Sequence, residues 1–260
     1  MKGDERVFLG AYWKDRSITG KEFVQLCHDF LARLRKLSSA FGHRCVAIPE
    51  GSKFVAAAVP EDYESFERLM MRAVPNPEIA YLNPDRSNKN FTLQSTTAAG
   101  FTIGFSDGGY GTTQPTRLSV SITAGVHAEY QTPNSVIINI PPDYREFWQN
   151  SDMARHLMEI VVSVWRPTFA TVTSSELRRA LDPGRTGRFA LGPIAYFADK
   201  RAGSAAEGTA RVEPSVHGGV FLSIDTPYPW TGSLGRLRPC YSRLNDAGLL
   251  QWHVSEVSAW

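Results

Sequence analysis

The hydrophobic pattern switches repeatedly between a helical and an extended period. Arg6 to Trp13, rich in aromatic and aliphatic residues, predicts a first strand. Apolar residues then recur at Phe23, Leu26, Cys27, Phe30, Leu31, Leu34 and Leu37, the spacing of one helix face. Lys21, Asp29, Arg33, Arg35 and Lys36 fall mostly on the opposite side. Thr19 can cap this helix, and Glu22 three residues later makes a capping box. Gly42 ends the unit. Past Pro60, the residues Phe66, Leu69, Met70 and Ala73 predict a second, shorter helix. Glu61, Asp62 and Glu64 lie in its first turn, where free backbone N–H groups favour negative charge. Pro75, Pro77, Pro84 and several Asn residues mark 75–90 as a loop.

Residues 91–142 differ in character. Their only charged side chains are Asp107, Arg117 and Glu129, and Thr, Ser and β-branched residues dominate, as strands prefer. Phe101, Ile103 and Phe105 alternate with Thr102, Gly104 and Ser106. Leu118, Val120, Ile122, Ala124 and Val126 alternate with small or polar residues. Each run predicts a strand buried on one face. The glycine-rich Asp107–Gly111 segment reads as their hairpin connection. Ser135–Ile140 adds a third strand, and three in succession predict an antiparallel meander.

A helix capped by Ser151 follows, with Met153, Leu157, Ile160, Val161, Val164 and Trp165 inward and Pro167 as its stop. Phe169–Thr173 predicts a short strand. Ser174 or Ser175 caps a further helix through Leu177, Ala180 and Leu181, which Pro183-Gly184 closes. Pro193–Phe197 and Gly219–Ile224 predict two strands, and the Ala, Gly and Ser of 199–211 a flexible loop between them. A last helix runs through Leu234, Leu237, Tyr241 and Leu244, with Pro239 interrupting its pattern. No repeat or separating linker is evident. The reading is one α+β domain over residues 1–260, a mainly antiparallel sheet flanked by helices.

Composition narrows the function classes. The 260 residues carry 28 Lys plus Arg against 26 Asp plus Glu, a formal charge of +2. That balance disfavours both a dedicated nucleic-acid binder and an acidic mimic of DNA. The apolar run of Val7–Trp13 contains Gly10 and is too short for a signal-peptide core. Ile160–Trp165 is far below the roughly 20 residues that span a bilayer, so the expectation is a cytoplasmic protein with no membrane partner. Cys27, Cys45 and Cys240 form no C-x-x-C pair and stay reduced in that compartment.

No local signature of catalysis occurs. The six histidines include no H-x-x-x-H pair, and Cys27-His28 on a helix point in different directions, so no metal or cofactor is expected. There is no G-x-S-x-G elbow and no phosphate loop. Glu159 and Asp182 read as isolated, solvated helix carboxylates. An acid/base pair assembled from distant segments stays open as an alternative, as does weak nucleic-acid binding through Arg178, Arg179, Arg185 and Arg188 or through Arg236, Arg238 and Arg243. Trp13 ends an apolar strand and is followed at once by Lys14-Asp15-Arg16, so it is a candidate surface contact as well as a core residue. Tyr110, on the glycine-rich turn beside Asp107, is the aromatic best placed to anchor a partner.

Several stretches resemble the immunity protein 52 family. They are Phe8-Leu9-Gly10-Ala11-Tyr12-Trp13 with the helix after it, Leu118–Ile122 with Pro133–Val136, Trp165–Ser174, and His217-Gly218-Gly219-Val220 before the Asp225 turn. The likeness follows the same order over most of the chain. It implies a bacterial immunity protein, without catalysis, that neutralises a cognate polymorphic toxin by stoichiometric binding. Such toxins are often restriction-endonuclease-like nucleases delivered by type VI secretion. A plug for a nuclease site should present clustered carboxylates, and here the acidic run is Glu61-Asp62-Tyr63-Glu64 with Glu67. Two modes are therefore open. One uses that acidic patch. The other grips a toxin surface away from its active site through the charge-poor strands near Asp107 and Tyr110, because interface cores are depleted in charge. The candidate partner-binding residues are Trp13, Glu61, Asp62, Glu64, Asp107 and Tyr110.

Overall fold

The computed structural model describes residues 7–14, 16–50, 53–74, 93–94, 99–107, 118–127, 133–141, 144, 147, 150–184 and 189–251. The strands, in chain order, are β1 (Val7–Trp13), β2 (Cys45–Glu50), β3 (Lys53–Ala58), β4 (Ala99–Ser106), β5 (Ser119–Val126), β6 (Asn134–Ile140), β7 (Phe169–Ser174), β8 (Ile194–Phe197), β9 (Arg211–Pro214) and β10 (Val220–Ser223). The helices are α1 (Gly20–Leu37), α2 (Tyr63–Ala73), α3 (Ser151–Trp165), α4 (Ser175–Leu181), α5 (Arg201–Ala206) and α6 (Leu234–Asp246). Among the described residues the strands form one ten-stranded sheet in the order β3-β2-β4-β5-β6-β1-β7-β8-β10-β9. Every pairing is antiparallel. This is the α+β class that the pattern predicts, with the meander β4-β5-β6 in place.

The caps act as their residue types require. Thr19 Oγ1 accepts from the Glu22 N–H at 3.2 Å, and the Glu22 carboxylate accepts from the Thr19 N–H at 2.7 Å. Two backbone donors at the head of α1 are thereby satisfied. Asp62 caps α2 through the Ser65 N–H at 2.8 Å. The α3 cap is Asn150, one residue earlier than the sequence suggested, and its side chain reaches the Asp152 and Met153 N–H groups. Ser174 caps α4.

Cross-strand register fixes which residues share a face. Leu9, Ala11 and Trp13 of β1 point to the side that holds α1 and α3, where Trp13 stacks on Trp165 at 5.7 Å. Phe101 and Phe105 of β4 point the same way, onto Phe23 of α1 and Phe66 of α2. On the opposite side, the covering groups among the described residues lie over the far half of the sheet. There Phe189 stacks on Phe169 at 4.3 Å and on Tyr12 at 5.7 Å. Leu177 of α4 and Leu237, Cys240 and Leu244 of α6 are buried in that layer. Hence β7 and β8 are buried at every position, whereas β5 alternates. A strand buried on both faces loses its period of two.

Three parts of the chain depart from the pattern reading. Residues 43–59 carry no clear periodic signal, yet β2 and β3 form a hairpin there. The predicted flexible loop 199–211 contains α5 and the start of β9. Small residues are what this helix needs. A Cβ on Gly203 would lie 3.1 Å from Val212 Cγ1, and Ala202 and Ala206 are fully buried, so α5 sits close on β9 and β10. The Asp199 carboxylate accepts from the Arg201 N–H at 2.9 Å and stands in for a cap. Finally, α6 runs through Pro239 without a break. Burial of Leu237, Cys240 and Leu244 outweighs the one backbone bond that proline removes.

Candidate functional site: an uncharged open sheet face

Among the described residues, no helix covers the first half of the sheet on the side away from α1, α2 and α3. Register places Thr102, Thr123 and Ser135 in one cross-strand row and Gly104, Ser121 and Ile137 in the next. Asn139 and Ser119 form a third row. Thr102, Gly104, Ser121 and Asn139 are exposed, and the other four side chains are half-buried. No charged residue occurs anywhere in β4, β5 or β6. Two pairs of polar groups bond across the strands. The Thr102 and Thr123 hydroxyls are 3.2 Å apart, and the Asn139 amide donates to Ser119 Oγ at 3.1 Å. At one end, Asn134 bonds both the N–H and the C=O of Val126, at 2.8 and 2.9 Å, and holds the β5–β6 register.

The face continues onto the hairpin. Val46 and Ile48 of β2 are buried on the helix side, so Ala47 and Cys45 point the other way. Their partners Ala56 and Ala58 on β3 are exposed, and Phe54 on the same side is 50% exposed. The result is a smooth, neutral surface of small side chains with an aromatic ring toward the sheet edge.

The sequence-derived candidates are scattered around this face. Trp13 is 4% exposed and stacked on Trp165, so it is a core residue and not a surface contact. Glu61, Asp62 and Glu64 sit at the head of α2, on the opposite side of the sheet. Asp62 is occupied as the cap, and its bonds to Ser65 hold its carboxyl below the usual range. Glu64 forms a loose pair with Arg68 at 3.9 Å, and the Glu61 carbonyl bonds His28 Nε2 at 2.8 Å. Asp107 follows β4, half-buried, and its charge acts on Arg44. Tyr110 lies outside the described residues.

Arg44 is a polar residue that the sequence reading missed. It is 3% exposed, lies over the Phe41 ring at 5.3 Å, and bonds the Ala40 and Leu118 carbonyls. Burial pulls its guanidinium below the usual value, and Asp107 is the strongest group opposing that shift. Arg44 thus ties the end of the 3₁₀ turn Ser39–Phe41 to the start of β5. Nothing in a lone His43-Arg44-Cys45 run marks such a role.

Other groups offer little chemistry. Glu159 is not isolated, since Arg155 bonds it at 3.0 Å. Arg178 and Arg179 flank Tyr12 and Glu176, while Arg185 and Arg188 lie outside the described residues. A groove of about 610 Å³ between β9, β10 and α6 is lined by Arg211 and Arg236, each already engaged by Glu213 or Asp225. No group of three or more His, Cys, Asp or Glu able to hold a metal occurs among the described residues. Among those residues, too, no helix is long and apolar enough to cross a membrane. Cys27 and Cys240 are buried and free, and burial pushes both thiols up, Cys27 the further.

No family model matches the chain, the immunity protein 52 family included, and no curated protein matches it. Among solved structures, the chain is similar to the Pseudomonas aeruginosa T6SS protein PA0821. The identity is 14% and the TM-score 0.52, with 98% of this chain and 76% of that chain covered. The two share a fold.

Proposed function

We propose that this chain is an immunity protein of a type VI secretion system. It binds a cognate toxin in the cytoplasm, a restriction-endonuclease-like nuclease, and neutralises it by stoichiometric association without chemistry of its own. The observation that carries this reading is the fold held in common with a T6SS protein over 98% of the chain. A broad neutral face suits an inhibitor, because the cores of protein interfaces are poor in charge.

The test is protection. The toxin domain encoded beside this gene is expressed in sensitive cells with and without the chain. The expected result is restored viability, together with a one-to-one complex of nanomolar affinity between the purified proteins. No rescue and no complex at micromolar concentration overturns the reading. Two further results would redirect it. Turnover of a substrate that is lost on changing one polar residue would make the chain an enzyme. DNA binding with a steep salt dependence would make it a nucleic-acid binder.

A further inference from the structure

We infer that the toxin is gripped by the open face of β4, β5 and β6, through an uncharged patch of its own surface and away from its catalytic cleft. The inference rests on the immunity reading and adds the surface and the mode. Three observations carry it.

The first is charge. A solvated antiparallel face usually carries charged side chains among its outward positions. Here the rows Thr102–Thr123–Ser135 and Gly104–Ser121–Ile137 carry none. A charged group buried against them would lose its hydration and find no counter-ion, at large cost. The matching partner surface is therefore neutral. A cleft built to receive a polyanion is cationic, so it does not match.

The second is extent. Three strands at about 4.8 Å spacing and about 3.4 Å per residue give a face on the order of 400 Å² in plan. The β2–β3 hairpin extends it toward the about 800 Å² of accessible surface that a standard interface covers per partner. The third is continuity. Where β2 pairs with β4, at Cys45–Ser106 and Val46–Phe105, the neutral surface passes onto the exposed Ala56 and Ala58 of β3 beside Phe54. The acidic head of α2 lies on the other side of the sheet, so one toxin domain docked on the open face leaves it uncovered.

The probe is the toxin domain encoded beside this gene, titrated calorimetrically against the full chain. Thr102→Lys with Ser121→Lys places two cations on the face at exposed positions. Asn139→Lys tests its far side alone. Glu61→Lys with Glu64→Lys reverses the acidic patch and spares the Asp62 cap. Circular dichroism and melting confirm that each variant is folded. The expected result is weakening by about 100-fold for the face pair and at least about 10-fold for Asn139→Lys. The α2 pair changes affinity by less than about 3-fold. Thr102→Ser with Ser121→Thr keeps wild-type affinity, and the wild-type complex shows a shallow salt dependence.

If the wild type binds and the face variants bind equally well, this inference fails and the immunity reading stands. A loss confined to the α2 pair, or a steep salt dependence, also overturns it in favour of an acidic plug. A wild-type dimer that the face pair converts to monomer, with toxin binding intact, makes the face a contact between copies of this chain. If the wild type does not bind the toxin at all, the immunity reading fails and takes this inference with it.

Discussion

The two halves of the sheet are built differently. From β7 to β9 there are helices on both sides: α3 on one, and α4, α5 and α6 on the other. From β2 to β6 the helices among the described residues lie on one side. The doubly covered half has lost alternation, with every position of β7 and β8 buried. The singly covered half keeps it, yet its outward positions are neutral where ordinary solvated strands are charged. The edges differ as well. The β9 edge carries Arg211, Glu213 and Pro214, residues that discourage strand pairing. The β3 edge carries one charge, Lys53 at its start, followed by Phe54, Val55 and three alanines, with Phe54 and Val55 50% and 44% exposed. One half is closed off by packing and charge. The other presents the uncharged rows of β4, β5 and β6 and an edge with a single charge, Lys53.

Glycines give the hardest test of that contrast. In the covered half, a Cβ on Gly192 would lie 1.7 Å from the Val172 carbonyl oxygen. In the open half, a Cβ on Gly104 meets nothing within 4 Å. Gly192→Ala should cost about 3–5 kcal/mol or abolish folding, because the backbone of β7 must move. Gly104→Ala should be neutral or slightly stabilising, since alanine loses less entropy in a strand. Chemical denaturation of both variants measures the difference. A cost below about 1 kcal/mol for Gly192→Ala would remove close packing as the distinction between the halves.

Most strands of both halves were legible in the sequence, β4, β5 and β6 by alternation and β7, β8 and β10 as short apolar runs, and one element pair in each half was not. Alternation of Phe101, Ile103 and Phe105 against Thr102 and Gly104 marks β4 directly, because water on one face imposes the period. The heads of α1 and α2 were equally plain, because caps are local chemistry. In contrast, Arg201–Ala206 looks like a loop. Its small residues make sense only against β9 and β10, which pair with each other through residues further along the chain. The β2–β3 hairpin is quiet because Ala56, Ala57 and Ala58 carry little periodic signal. Of the site, the paucity of charge over 91–142 was visible, but the aligned rows across three strands needed the register. Trp13 was ambiguous in sequence because its fate depends on Trp165, which lies on a distant helix.

Arg155 sharpens the comparison at the closed edge. It bonds Glu213 of β9 at 2.7 Å and Glu159 at 3.0 Å, and its guanidinium lies 3.5 Å over the Phe221 ring. Its side chain is only 18% exposed. Arg155→Met should cost about 1–3 kcal/mol, through the lost stacking and a half-buried Glu213 left with Arg211 alone. Arg201→Met breaks a pair of similar length, 2.6 Å to Asp199, but at 77% exposure it should cost clearly less than Arg155→Met. Denaturation at low and high salt separates the two, since screening erodes the exposed pair first. Equal costs would mean that burial does not set the strength of the closed edge.

The smallest expected effect is on pH dependence, and it is shared by both halves. Glu22 and Asp62 head α1 and α2 under the open half, and Asp199 heads α5 over the closed half. Their hydrogen bonds hold all three carboxyls below the ordinary range, to Thr19 for Glu22, to Ser65 for Asp62 and to Arg201 for Asp199. A carboxyl with a folded value below its unfolded one stabilises the fold above the unfolded range. That contribution drains away as pH falls through the lower folded value. The melting temperature should therefore be flat near neutrality and decline below about pH 4, where unfolded Asp and Glu begin to protonate. Glu22→Gln and Asp62→Asn should each make the acid decline shallower, and in hydrogen exchange at acid pH the wild type should open first at the heads of α1 and α2. All three groups are solvent-facing, so each step is small. A melting curve that declines equally steeply in Glu22→Gln, Asp62→Asn and the wild type would show that these caps do not couple the helices to pH.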